Sequence, residues 1–136
     1  RVTESFVSAL TSSRFRPVIV THFNHPKEMT LQSKRAILEL RNGTTLLNQS
    51  VLLKRINDKP EILAELSEKL FDFGILPYYL HHLDPARGTQ KFYVEVEEGK
   101  RIWKEMRKLL PGYLVPRYVV DIVGDQYKRD VITSPL

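Results

Sequence analysis

Three times along this chain a short apolar or β-branched run gives way to a helical pattern, and this alternation restricts the fold more than any other feature. Residues 17–23 form the first run. A helix over 30–41 follows it, with Ala36, Ile37 and Leu40 on one face and Gly43 as its stop. Residues 44–53 form the second run. Asp58 is expected to cap the next helix, with Pro60 in its first turn, Glu61 three residues on, and Ile62, Leu66, Leu70 and Phe73 as the buried stripe. Residues 75–82 form the third run, a turn over 85–88 follows, and a helix over 97–110 carries Ile102, Met106 and Leu109 at helical spacing. A last short strand over 118–123 precedes a polar tail. Repeated strand–helix–strand order predicts a parallel sheet with right-handed crossovers, hence an α/β fold. A helix over 3–10 has no strand before it, which suggests a piece of something larger. Three or four strands would leave both sheet edges open, so self-pairing into dimers is expected of an isolated piece.

Composition narrows the class. At 136 residues the chain suits a single domain, residues 1–136, with a real core. Its hydrophobic fraction of 42% is too high for a disordered chain. No run approaches about 18 consecutive apolar residues, so no membrane partner is expected, and the opening Arg1-Val2-Thr3-Glu4-Ser5 lacks the apolar core of a secretory signal. A cytoplasmic location follows as the expectation. The net charge of +5 is dispersed, as in Lys54-Arg55-Ile56-Asn57-Asp58-Lys59, where a nucleic-acid site would want a one-sided basic stripe. Nucleic acid is therefore not an expected partner. Cysteine is absent, which removes thiolate catalysis and cysteine-held metal clusters from these residues.

Parallel α/β sheets bind ligands where their strands end at the carboxyl edge. The first run leads into Thr21-His22-Phe23-Asn24-His25-Pro26, and the second carries Asn48-Gln49-Ser50 and ends near Asn57-Asp58. The third ends in His81-His82-Leu83-Asp84, and the fourth in Asp121, with Lys128 seven residues beyond. Amide, imidazole, carboxylate and amine groups thus converge on one edge, which points to a site there. Each group also has a plainer explanation. His22 and His25 suit a strand-end turn, and the four histidines together offer a metal site, although no carboxylate pattern sets its geometry and no metal ligand is assigned. Gln49 among Leu46, Leu47, Val51 and Leu52 reads as a buried amide that must find partners, either a ligand or a neighbouring backbone. Asp84 before Pro85 is a natural turn starter, and Lys128 alone looks like any solvated lysine. A non-catalytic basic α/β binding module is the competing functional class.

Taken in order, these pieces resemble the C-terminal part of the lysine 2,3-aminomutase family of radical S-adenosylmethionine enzymes. The matching segments are His22-Phe23-Asn24-His25-Pro26, Asn48-Gln49-Ser50-Val51-Leu52-Leu53, Asn57-Asp58, Pro77-Tyr78-Tyr79, Asp84, Gly112-Tyr113-Leu114-Val115-Pro116 and Asp121 through Lys128. The resemblance implies the C-terminal half of a partial (β/α)6 TIM-like barrel with parallel strands. It implies an isomerase that moves the amino group of lysine from carbon 2 to carbon 3, giving β-lysine, with pyridoxal phosphate, S-adenosylmethionine and a 4Fe-4S cluster as cofactors. By position, Lys128 would hold pyridoxal phosphate and act in catalysis. Asp84 and Asp121 would receive the distal ammonium of the lysine substrate, and His22 and Gln49 would line the S-adenosylmethionine site. The family holds its cluster with Cys-x3-Cys-x2-Cys, absent here, so this chain alone is expected to be inactive and the cluster ligands to lie outside it. Leu46-Leu47-Asn48-Gln49-Ser50 and Tyr78-Tyr79-Leu80-His81 lean toward the branch that makes β-lysine for elongation factor P, and the resemblance implies a homo-oligomer. The stretch Ile122-Val123-Gly124-Asp125-Gln126-Tyr127 departs from the family's glycine-rich pattern before the lysine.

Overall fold

The computed structural model describes residues 2–12, 14–84 and 88–136. Four strands, β1 (Val18–Thr21), β2 (Thr45–Leu52), β3 (Leu76–His82) and β4 (Arg117–Val120), lie side by side in chain order and pair in parallel. Helix α1 (Glu4–Thr11) precedes the sheet, and α2 (Leu31–Leu40), α3 (Pro60–Asp72) and α4 (Val96–Leu109) form the three crossovers. Right-handed crossovers between strands laid down in unbroken order place all three helices on one face of the sheet. The other face is left bare of helix among the described residues.

Alternation along β2 shows how the two faces divide. Leu46, Asn48, Ser50 and Leu52 are buried toward the helices, whereas Leu47, Gln49 and Val51 are half-exposed on the bare face. Pairing carries this across the sheet, matching Gln49 with Tyr79, Val51 with His81 and His81 with Val119. Under the helices lie two apolar clusters. One holds Leu52, Leu63, Leu80, Ile102, Met106 and Tyr118, and the other Ile37, Leu40, Leu46, Leu66, Leu70 and Ile75.

Several local expectations need correction. Asp58 does not cap α3; the cap position is Lys59, which makes no side-chain cap bond. Pro60 opens the helix, and a proline forces the residue before it into extended backbone, so Lys59 takes the boundary and leaves Asp58 one residue too far upstream. The buried stripe of α3 runs through Leu63, Leu66, Ser67 and Leu70, with Ile62 and Phe73 only half-buried. Leu109 is exposed, because α4 ends there and the extended backbone of Leu110 turns that next side chain inward. The tail is not merely polar either. Residues Arg129–Asp130 add a fifth strand, β5, antiparallel to β4, and Val131 behind it is fully buried. The sheet is therefore parallel only across its first four strands. Of the expected turn over 85–88, residues 85–87 lie outside the described part.

Glycine marks one stop as expected. Gly74 takes φ +82° after α3, and the N–H of Ile75 reaches back to the carbonyl of Leu70 at 2.9 Å, closing the helix end.

Candidate functional site

The carboxyl ends of the four parallel strands open onto one basin of about 340 Å³ on the bare face. His22, Gln49, Val51, His81, His82, Leu83, Asp84, Asp121 and Lys128 line it. All five residues singled out from the sequence meet here: His22 just past β1, Gln49 on β2, Asp84 two residues past β3, Asp121 directly after β4, and Lys128 directly before β5. The antiparallel pairing of β5 with β4 is what returns Lys128 to Asp121, since Val120 pairs with Arg129.

The best-defined contact is between these two. Lys128 Nζ donates to both carboxylate oxygens of Asp121, at 2.7 and 2.8 Å. Lys128 is one-third exposed and Asp121 almost two-thirds, so solvent screens the pair and it contributes at most about 1 kcal/mol to stability. Such a screened pair is easily exchanged. The ammonium also lies 5.9 Å from the ring centre of Tyr79, as does the Arg117 guanidinium.

His81 sits beside this pair, with Nδ1 3.5 Å from an Asp121 oxygen, too long for a strong hydrogen bond. Its Nε2 is buried and finds no hydrogen-bond partner among the described residues. Burial pushes the His81 imidazole below its ordinary value; the Lys128 ammonium and His22 push the same way, and Asp121 opposes them. Burial thus favours the neutral imidazole, with its proton best placed on the nitrogen facing the carboxylate.

His82 points the other way, into the helical layer. Its Nδ1 lies 2.6 Å from the Tyr118 hydroxyl and its Nε2 3.4 Å from that of Tyr93. Burial lowers the His82 value, opposed by Glu95, and burial raises that of the Tyr118 phenol. His25 serves its own turn, with Nδ1 accepting from the Lys27 N–H at 3.1 Å. Although His22, His81 and His82 line one basin, no group of three or more His, Asp or Glu side chains is placed to hold a metal ion among the described residues.

One reading of the sequence is reversed. Gln49 is half-exposed on the basin side, and the buried amide in this stretch is its neighbour Asn48. The period-two alternation decides between them, since Asn48 shares a face with Leu46 and Leu52, both core residues. In the sequence His81 stands only among the strand-end histidines and Tyr79 only within a matching segment, neither with a role of its own. The same alternation, carried from Gln49 and Val51 across to β3, was the signal that could have found them.

Comparison with known proteins gives the arrangement its relatives. No family model matches the chain. It is 45% identical over 129 residues to an L-lysine 2,3-aminomutase of Haemophilus influenzae and 43% identical over 129 residues to that of Escherichia coli, in each case covering 94% of this chain. By sequence, this chain belongs with the lysine 2,3-aminomutase family. It spans only 38% of the length of those two relatives. A glutamate 2,3-aminomutase of Clostridioides difficile is 36% identical over 123 residues, covering 89% of this chain and 29% of that protein. Among solved structures, a radical SAM methyltransferase from Sphaerobacter thermophilus matches with a TM-score of 0.56 over 85% of this chain and 38% of its own, at 18% identity. That likeness shows the fold alone. Nothing in these comparisons favours a non-catalytic binding module over an aminomutase.

Proposed function

We propose that this chain supplies the substrate- and cofactor-holding part of a lysine 2,3-aminomutase, an isomerase that moves an amino group between neighbouring carbons of lysine to give β-lysine. The observation that carries the reading is the Lys128–Asp121 pair, set in one basin with Asp84, His22 and Gln49. Four parallel strands in unbroken order, with helices on one side, suit a contiguous part of a partial (β/α)6 barrel, one strand more than half, whose inner wall would be the bare face. In that setting the basin would look into the barrel.

The donor set can be tested against each cofactor. Lys128 fits pyridoxal phosphate, because it offers an amine at a solvent-reached edge, held by an exchangeable carboxylate and lying near the Tyr79 ring. His22 and Gln49 fit as hydrogen-bonding groups toward S-adenosylmethionine. An iron–sulfur cluster does not fit these residues, since the sequence has no cysteine, so its ligands would come from outside them. When bound, pyridoxal phosphate would supply the conjugated π system that lets nitrogen migrate by a radical route.

The chain's own groups do the rest. Asp121 holds the Lys128 ammonium while the amine carries no cofactor and gives it up when the amine is taken. Asp121 and Asp84 then receive the distal ammonium of lysine, two carboxylates for a cation whose unpaired burial would cost several kcal/mol. Val51 and Leu83 give the basin its apolar wall, and His81 stands beside Asp121 with Nδ1 3.5 Å from its carboxylate. The narrower form of the proposal is the elongation factor P branch in the cytoplasm, which rests on the segments around Gln49 and Tyr79; a homo-oligomeric assembly belongs to the same reading.

The test is anaerobic incubation of the complete gene product with S-adenosylmethionine, pyridoxal phosphate and a reductant, offering lysine or glutamate. Lysine is expected to yield β-lysine, with Asp121→Asn raising KM for lysine. Turnover of glutamate with none of lysine would refute the assignment of the two aspartates.

A further inference from the structure

His22 stands at the basin rim, one residue beyond β1, and its imidazole makes no hydrogen bond among the described residues. Its position is therefore set by its backbone. A strand end has lost its ladder, so its backbone groups must find other partners or face water. Here they find side-chain amides. Asn48 Oδ1 accepts from the Thr21 hydroxyl at 2.9 Å and from the Phe23 N–H at 2.8 Å. Its Nδ2 donates to the Phe23 carbonyl at 3.1 Å and to Ser50 Oγ at 3.0 Å, while Ser50 donates to the same carbonyl at 2.8 Å. The residues on either side of His22 are thus gripped by one fully satisfied amide.

A second grip follows at once. Asn24 Oδ1 accepts from the Val51 N–H at 2.7 Å, where a ladder bond would otherwise be missing. Asn57 Nδ2 donates to the carbonyls of Asn24 and Val51, both at 2.8 Å, and its Oδ1 accepts from the Leu53 N–H at 2.7 Å. Glu28 completes the turn by accepting from the N–H groups of Asn24 and His25, each at 2.8 Å. Asn48 and Asn57 are 1% and 0% exposed and do not line the basin, so neither reaches a ligand. Three amides in a connected network are a costly way to fill space, because every polar atom must be matched. What the network specifies is the path of residues 21–25 relative to Val51, and hence where His22 stands beside Gln49.

We infer that Asn24, Asn48 and Asn57 are positioning residues that set His22 against Gln49 at the rim of the basin. The inference rests on the proposed role of His22 and Gln49 toward S-adenosylmethionine. Asn24 gives the cleanest test, because its side chain contributes only an acceptor: Asn24→Asp keeps that acceptor and Asn24→Ala removes it. In the complete gene product, equilibrium dialysis would measure binding of S-adenosylmethionine, and borohydride fixation would measure covalent attachment of pyridoxal phosphate in the same samples. Asn24→Ala should weaken S-adenosylmethionine binding by roughly three- to tenfold, as the loss of one positioning hydrogen bond would. Asn24→Asp should restore it, and attachment of pyridoxal phosphate should stay unchanged in both. Asn48→Ser provides a second variant with the same expected split. If His22→Ala and Gln49→Ala leave binding untouched, the assigned role of that pair fails. If they weaken it and Asn24→Ala does not, the positioning inference is overturned. Equal loss of both ligands in Asn24→Ala would also overturn it, as the mark of a merely structural residue.

Discussion

Replacing Gly99 with alanine should destabilise the protein, even though alanine is the better helix former. Gly99 lies in α4, and a Cβ built there would stand 2.1 Å from the Tyr118 hydroxyl, 3.1 Å from Tyr118 Cζ and 3.2 Å from Leu52 Cδ2. Tyr118 has no room to yield, being 0% exposed with its hydroxyl tied to His82 at 2.6 Å. Overpacking of this kind costs about 1–3 kcal/mol. Pulling the phenol from His82 would leave two buried polar groups unmatched, for about 1–3 kcal/mol more. Against this, removing a glycine from a helix gains only about 0.5–1 kcal/mol. The net expectation is a loss of about 3 kcal/mol, read as a lower urea midpoint or a Tm reduced by roughly 10 °C. The clash is mostly with one oxygen, so Gly99→Ala should cost much less in a Tyr118→Phe background, a non-additivity of about 1–3 kcal/mol in a double-mutant cycle. A Gly99→Ala protein at least as stable as the parent, or strict additivity with Tyr118→Phe, would refute the packing argument.

Other predictions concern titration. Burial holds His81 and His82 below their ordinary values, so the unfolded chain binds protons that the folded chain refuses. Stability should therefore be full above about pH 6.5 and fall as pH drops below it, seen as a smaller urea midpoint at pH 5 than at pH 7.5; a flat profile across that window would contradict this. Asp121 raises the His81 value and Lys128 lowers it. By NMR of the imidazole, Asp121→Asn should move the His81 titration down in pH and Lys128→Met should move it up. Shifts in the same direction would mean that His81 does not feel both charges.

Much of the fold was legible because burial in a parallel α/β layer follows local rules. The strand runs at 17–23, 44–53 and 75–82 each contain the strand found, since β-branched and apolar runs bounded by turn residues have few other uses. What failed was phase. Asp58 looked like a cap only until Pro60 moved the boundary by one residue, and Gln49 looked buried only until alternation handed that place to Asn48. β5 was illegible for another reason: a two-residue strand has no period, and only its pairing with β4 defines it. The five candidate residues of the site did gather in one basin, because strand ends in unbroken parallel order share an edge. The amide network was visible as letters, Asn24, Asn48, Ser50 and Asn57, but the bonds that tie residues 21–24 to β2 and Asn57 span 25 or more residues of sequence and needed the three-dimensional register.

The account stands or falls on Lys128. The direct measurement is to incubate the complete gene product with pyridoxal phosphate, reduce with borohydride, digest, and locate the modified peptide by mass spectrometry. The account predicts one dominant modified lysine, Lys128, with the label lost in Lys128→Ala and kept in His22→Ala. Label spread over many surface lysines, or retained undiminished in Lys128→Ala, would contradict it.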